Sequence, residues 1–430
     1  MAKYQKYAEY KDSGVEWLGE VPSNWKVTRL KFLAKIKNGQ DYKHVEAENG
    51  FPVMGSGGQF TFSTEFMFDQ PSVLLGRKGT IDKPLFIDEP FWTVDTMYYT
   101  DVQKDIDVKY FYYLAKTILF DRYSTNTALP SMTQENLNNF EFSIPCDFDE
   151  RLAIRKFLDH ETAKIDTLIA KQEKLIELLK EKRQAVISHA VTKGLNPSVP
   201  MKDSGVEWLG EVPEHWIVSK FGYISQVVRG GSPRPAGDPA LFNGDYSPWV
   251  TVAEITKDDE LYLTSTETFL TKKGSEQCRV FQSGTLLLSN SGATLGVPKI
   301  LSINANANDG VVGFEDLKID TEYAYFYLSV LTNDLRERVK QGSGQPNLNT
   351  DIVKAISITI PPENEIREIV ADIKKKIDHF SKLMASAENA IQLMQERRTA
   401  LISAAVTGKI DVRHWQNPNK NNEANMELSA

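Results

Sequence analysis

EKRQAVISHAVT at 181–192 returns as ERRTALISAAVT at 396–407, and this duplication decides how the chain is built. Read backward by alternating threes and fours, the first copy gives Val186, Arg183, Leu179, Ile176, Gln172, Ile169 and Ile165. The second gives Leu401, Arg398, Met394, Ile391, Ala387, Met384 and Phe380, and continues to Ile377, Ile373, Val370 and Ile366. An apolar period of 3.5 is the pattern of helices that supercoil on one another. It predicts two long helices, from about Glu150 to Thr192 and from about Glu363 to Thr407. At 1.5 Å per residue each would span roughly 60 Å, too long to be buried inside a small domain, so they read as struts. Gln172, Arg183 and Arg398 interrupt the seam and should fix register at some cost in stability. The charged faces, Lys171, Glu173, Lys174, Glu177, Lys180 and Glu181, are those of a solvated helix and carry no chemistry.

A second repeat precedes the first. KDSGVEWLGEVPSNWKV at 11–27 returns as KDSGVEWLGEVPEHWIV at 202–218, with Trp17 and Trp25 answered by Trp208 and Trp216. Each helix therefore closes a unit that begins with this tryptophan-bearing opening segment, and the chain is two such units in tandem. The expected divisions are an opening segment with a first domain at 1–145, a long helix at 146–195, a second opening segment and domain at 196–361, a second long helix at 362–410, and a polar, disordered tail at 411–430.

At 430 residues, 41% apolar and 25% charged, the chain has the composition of a globular protein of two or three domains. No apolar run is long enough to span a bilayer, and the start MAKYQKYAEYKD lacks the apolar core of a signal peptide, so a cytoplasmic location is expected. Cys146 and Cys278 form no CxxC pair and indicate neither a disulfide framework nor a zinc site; Cys146 reads as a small apolar residue after a strand. A net charge of −8 argues against a protein that coats DNA generically, and restricts any nucleic-acid contact to local patches.

Between the repeats the chain is α+β. Trp25, Val27, Leu30, Phe32 and Leu33 predict a strand and turn packed on the first domain, and FPVM, SVLLG, PLFI and FWTVDTMYY read as strands. KYFYYLAKTILFD at 109–121 reads as a helix. GSGGQF at 55–60 and LLGRKGTI at 74–81 set Gly57, Gln59, Arg77, Lys78 and Thr80 among glycines, where backbone can approach a polyanion while the cations reach it. A basic hairpin turn open to water accounts for the same residues. The second domain places Arg229, Ser232 and Arg234 in VVRGGSPRPAGDP at 227–239, and Ser289, Asn290, Ser291 and Thr294 in GTLLLSNSGATLGVPKI at 284–300. Neither domain contains GxxxxGK[ST] or GxGxxG, and Asp95 reads as a structural residue at a strand end.

The order GVEWLGEVPxxW, variable domain, an exit ending in IP and a long helix ending ISxAVT, all repeated, resembles the specificity subunit of type I restriction-modification systems over nearly the whole chain. The exits differ: the first reads ALPSMTQENL, the second GQPNLNTDIV. The resemblance implies two strand-rich target recognition domains separated by two long antiparallel coiled-coil helices with an internal pseudo-two-fold repeat. It implies a non-catalytic reader of double-stranded DNA whose helices bind two methyltransferase subunits, with restriction subunits in the full complex. S-adenosylmethionine, ATP and Mg belong on those partners, and no cofactor or metal on this chain. Helix-packing residues would be Ile165, Ile169, Ile176, Leu179 and Val186 against Phe380, Met384, Ile391, Met394 and Leu401.

Two other classes compete. A hydrolytic site near Asp95 or Asn290 would need an activated nucleophile or paired acids, which the sequence does not set beside them. A two-lobed scaffold that binds RNA or protein would use the same struts.

Overall fold

The computed structural model describes residues 4–123, 130–292, 294–340 and 347–418. Contacts divide the chain into two compact units, Met1–Glu173 with Glu388–Ala430, and Lys174–Ala387. Each unit thus holds one domain, the end of one long helix and the start of the other.

In the first unit a hairpin pairs Tyr10–Asp12 with Glu20–Pro22, and Trp25–Arg29 pairs antiparallel with Glu141–Pro145. One four-stranded sheet runs Ala34–Asn38, Met97–Val102, Ser72–Gly76, Leu85–Ile87 in spatial order. Another runs Trp92–Thr93, Phe51–Gly55, Gly58–Ser63, Glu46–Ala47, with Trp92 parallel to Val53. Leu74 and Leu75 are fully buried because both faces of their strand are covered, which explains the continuous apolar run.

The second unit repeats the hairpin, the strand pair and most of the larger sheet, but not the order of the smaller one. Its hairpin pairs Met201–Asp203 with Glu211–Pro213, and Ile217–Lys220 pairs with Ser357–Ile360. The larger sheet runs Gln226–Arg229, Val311–Glu315, Leu286–Ser289, Pro298–Leu301, Tyr262–Leu263, the first four matching the first unit strand for strand. The smaller sheet again contains one parallel pair, Trp249 beside Asn306.

The first long helix covers Phe148–Lys193 and the second Glu363–Val406. Acidic residues occupy both first turns, Asp149 with Glu150 and Glu363 with Glu365, where the helix dipole favours them. In the first unit Ile154, Phe157, Leu158 and Ile165 share a core with Leu401, Ile402 and Ala404 to Val406. In the second, Ile187, Ala190 and Val191 share one with Ile366, Ile369, Val370 and Ile373. From Ile165 to Val186, and from Ile366 to Leu401, every position of the 3.5-period seam is buried or half-buried, while Leu168, Leu175, Leu178, Leu383 and Leu393 beside it are exposed. Arg398 sits in the seam because Asp166 takes it bidentately, Nε at 2.8 Å and Nη2 at 3.2 Å.

Both opening segments hold their helices alike. Trp25 Nε1 donates to Glu150 at 2.8 Å, and Trp216 Nε1 to Glu365 at 2.9 Å. Each ring also receives the glycine that ends a long helix: a Cβ on Gly408 would lie 3.3 Å from Trp25 Cη2, and one on Gly194 3.1 Å from Trp216 Cζ2. Both glycines have positive φ, +72° and +77°, so the helix stop and the close approach require the same residue type.

Four expectations change. The helix expected over 109–121 ends at Ala115, where the Thr117 hydroxyl takes the Leu114 carbonyl at 2.7 Å, and a separate turn, Phe120–Tyr123, follows. Phe32 points to solvent, because the tight turn Leu30–Phe32 directs Leu30 and Leu33 inward instead. Cys146 is exposed. The tail is ordered at its start: Val412 is buried, Asp411 N donates to Gln5 O at 2.8 Å, and Trp415 meets Phe157 edge-on at 5.6 Å. Residues 419–430 lie outside the described residues.

Candidate nucleic-acid interface

At one edge of the larger sheet in each unit, three loops and the exit segment converge. In the first unit, Gly39 follows Ala34–Asn38 and lies so close to the Thr93–Val94 backbone that a Cβ would come within 2.0 Å of Val94 O. Arg77 N donates to Thr96 O at 2.9 Å, and Arg77 Nη1 to Asp95 O at 3.1 Å. The exit segment closes the group, with Gly79 N donating to Pro130 O and Met132 N to Arg77 O, both at 2.9 Å.

The second unit builds the same group from other residues. Gly230 approaches the Ala307–Asn308 backbone, where a Cβ would lie 2.3 Å from Asn308 O. Asn290 N donates to Gly310 O at 2.9 Å, and its Nδ2 to Asp309 O at 3.4 Å. Leu348 N donates to Asn290 O at 2.7 Å, and Ser291 bridges Asn347 as Lys78 bridges Ser131. Arg77 and Asn290 are therefore topological equivalents, as are Lys78 and Ser291. Although LPSM and QPNL differ, the described parts of the two exits make the same backbone contacts, and each leads to a capped short helix, at Thr133 and Asn349.

The electrostatics differ between units. In the second, Arg229 Nε donates to Asp309 O at 2.6 Å and Ser232 Oγ to Asp309 Oδ1 at 2.7 Å. The Ser232 hydroxyl holds the Asp309 carboxyl below its ordinary range, and Arg229 and Arg234 add in the same direction. In the first, Arg77 lies 5.9 Å from the Tyr98 ring and Lys78 is exposed.

The family of the type I restriction modification DNA specificity domain matches residues 22–178 and 213–393, once in each repeat. The chain belongs to that family. Among similar members, the MjaVIII specificity subunit of Methanocaldococcus jannaschii is 23% identical, aligned over 92% of this chain and 95% of the relative. The EcoDI specificity subunit of Escherichia coli is 20% identical over 93% and 92%. The MjaIX specificity subunit of M. jannaschii is 25% identical, over only 44% of this chain and 43% of its own length. A solved chain from work on complex assembly and conformational transition of the type I R-M system has the same fold, with a TM-score of 0.68 at 13% identity, covering 90% of this chain and 98% of that one.

Within this specificity family member, the expected donors separate by depth. Gly57, Gln59, Lys78, Thr80, Arg229, Arg234 and Thr294 are exposed, and Arg77, Ser232 and Ser291 are half-buried. Ser289 and Asn290 are fully buried. Ser289 Oγ donates to Thr294 O at 2.8 Å and accepts from Val297 N at 2.9 Å, so it closes the loop and cannot reach a ligand. Asn290 Nδ2 donates to the Asp309 carbonyl, while its buried Oδ1 has no hydrogen-bond partner. Gln40, exposed directly after Gly39, was not among the expected residues; its signal was a glycine ending a strand. Arg336, whose Nε holds Leu295 O at 3.0 Å, was also missed, along with its helix, Thr321–Lys340. Among the described residues no cluster of His, Cys, Asp and Glu could hold a metal, and no helix is long and apolar enough to cross a membrane.

Proposed function

We propose that this chain is the DNA-reading subunit of a type I restriction-modification complex, recognising a bipartite target with one half-site per unit. The observation that carries the proposal is the loop edge: four strands of the larger sheet in one shared order, and two unlike sets of donors, exposed Gln40 and Lys78 with half-buried Arg77 in one unit, exposed Arg229 and Arg234 with half-buried Ser291 in the other. A common scaffold with unlike loops is what reading two different base sequences requires, since direct readout depends on a few side chains at base edges. The two helices would run as an antiparallel coiled coil relating the units by a pseudo-two-fold. They would offer sites for two methyltransferase subunits, with S-adenosylmethionine bound there and ATP and Mg on restriction subunits. The chain itself would be non-catalytic.

Alanine at Arg77, Lys78, Arg229 and Arg234, one at a time, tests the edge by titration against target and random duplex. A residue bidentate to guanine costs about 1–3 kcal/mol and relaxes one position; a phosphate contact weakens all sequences alike and lowers the salt slope. Unchanged affinity in all four would remove the edge from the interface.

The helices would set the gap between half-sites. Inserting four residues between Lys174 and Leu175 adds about 6 Å of helix and should lengthen the unread gap by about one or two base pairs, at 3.4 Å each along the duplex, with both half-sites intact. An unchanged gap at full activity would make the helices docking surfaces only.

A further inference from the structure

Among the described large hydrophobic side chains the two most exposed are Tyr223, at 75%, and Phe32, at 64%. A single exposed apolar residue is ordinary. These two occupy the same place in the two repeats. Phe32 ends the turn after the strand Trp25–Arg29, and Tyr223 is the third residue of the turn after Ile217–Lys220. In both turns the first residue donates its N–H to the residue just ahead of the strand that precedes the long helix, Leu30 to Phe140 O at 2.9 Å and Phe221 to Ile356 O at 3.1 Å. The flanking apolar residues, Leu30 with Leu33 and Phe221 with Ile224, are buried, so only the aromatic faces outward.

The turn and the loop edge lie at opposite ends of one strand, Ala34–Asn38 or Gln226–Arg229, roughly 17–20 Å apart at about 3.3 Å per residue. Residues that read two different half-sites should differ between the units. A side chain kept outward and aromatic in both suits something that arrives in two equal copies. Lys31 Nζ is 5.3 Å from the Phe32 ring; in the second repeat the stem of Lys354, whose Nζ pairs with Asp351 at 3.7 Å, packs beside Gly222, where a Cβ would lie 2.9 Å from Lys354 Cβ. An outward aromatic knob flanked by buried apolar residues fits an apolar pocket on a partner, the anchor geometry of protein interfaces.

We propose that Phe32 and Tyr223 are docking knobs, each seating one copy of the methyltransferase subunit. This rests on the reading of the chain as a specificity subunit. The test combines native mass spectrometry and titration of the full chain with the methyltransferase subunit of its own system. Phe32→Ser and Tyr223→Ser should each retain one copy instead of two, and the double variant should bind at least about thirty-fold more weakly, the loss expected for interface anchors. Lys31→Glu and Lys354→Glu should weaken binding less. Unfolding midpoints should stay at the wild-type value, because the side chains are exposed. Two copies bound with unchanged Kd in the double variant would overturn the proposal while leaving the specificity reading intact. Loss of affinity for DNA without the subunit would overturn it in favour of a DNA contact. A wild-type chain that binds no methyltransferase subunit would defeat both.

Discussion

Alanine at Trp216 lowers the stability of the second unit by about 3–5 kcal/mol, the cost of deleting a fully buried aromatic. The ring has no exposed surface, and three parts of the unit meet on it: the opening segment, Gly194 at the end of one long helix, and Glu365 in the first turn of the other. Trp25 holds Gly408 and Glu150 in the same way, so alanine there should cost the first unit as much. Removing the acid alone strands the indole N–H, at about 1–3 kcal/mol. Each acid has a second partner, Asn24 Nδ2 at 3.2 Å for Glu150 and His215 Nε2 at 2.6 Å for Glu365, so burial decides: Glu150→Ala should fall at the upper end because Glu150 is buried, and Glu365→Ala at the lower end because Glu365 is partly exposed. Urea titration of each variant, followed by circular dichroism, checks the order. A wild-type midpoint for Trp216→Ala would show that the opening segment does not anchor the helices.

These anchors were legible as a repeat, because the opening segments are nearly identical, but their contacts were not. Nothing in GVEWLGEVPxxW states that its second tryptophan meets a glutamate more than a hundred residues away. The helices were legible because the 3.5 spacing of their seam persists through the polar positions Gln172, Arg183 and Arg398, and the seam positions are the less exposed ones. Sheet order was illegible. Its strands run as short as two residues, and the parallel pairs, Trp92 with Val53 and Trp249 with Asn306, join segments far apart in sequence. The two interiors, which look unrelated as sequence, nevertheless share the order of four strands in the larger sheet, while their smaller sheets are ordered differently. Thr321–Lys340 went unread although Tyr323, Tyr327, Leu331 and Leu335 recur on one buried face.

At the loop edge, residue type revealed donors but not depth. Ser289 closes a buried strand and Asn290 follows it, so both turn inward, whereas Lys78, at the position equivalent to Ser291, stays exposed. Gln40 carries no charge and adjoins a single glycine, so composition did not mark it.

The central claim is that each unit reads its own half of the target, since the exposed donors of each edge come from one unit alone. Exchanging residues 28–145 for the first domain of another family member keeps Trp25, Glu150 and both long helices. The exchanged stretch includes the strands and all loops of the first edge. Each altered base contact is worth about 1–3 kcal/mol, and a half-site of several base pairs multiplies these into a complete change of preference. The measurement is methylation sequencing of DNA from cells carrying the exchanged chain with its methyltransferase subunits. The account predicts that one half-site is replaced while the other half-site and the gap persist. A change in both halves, or in neither, would contradict it.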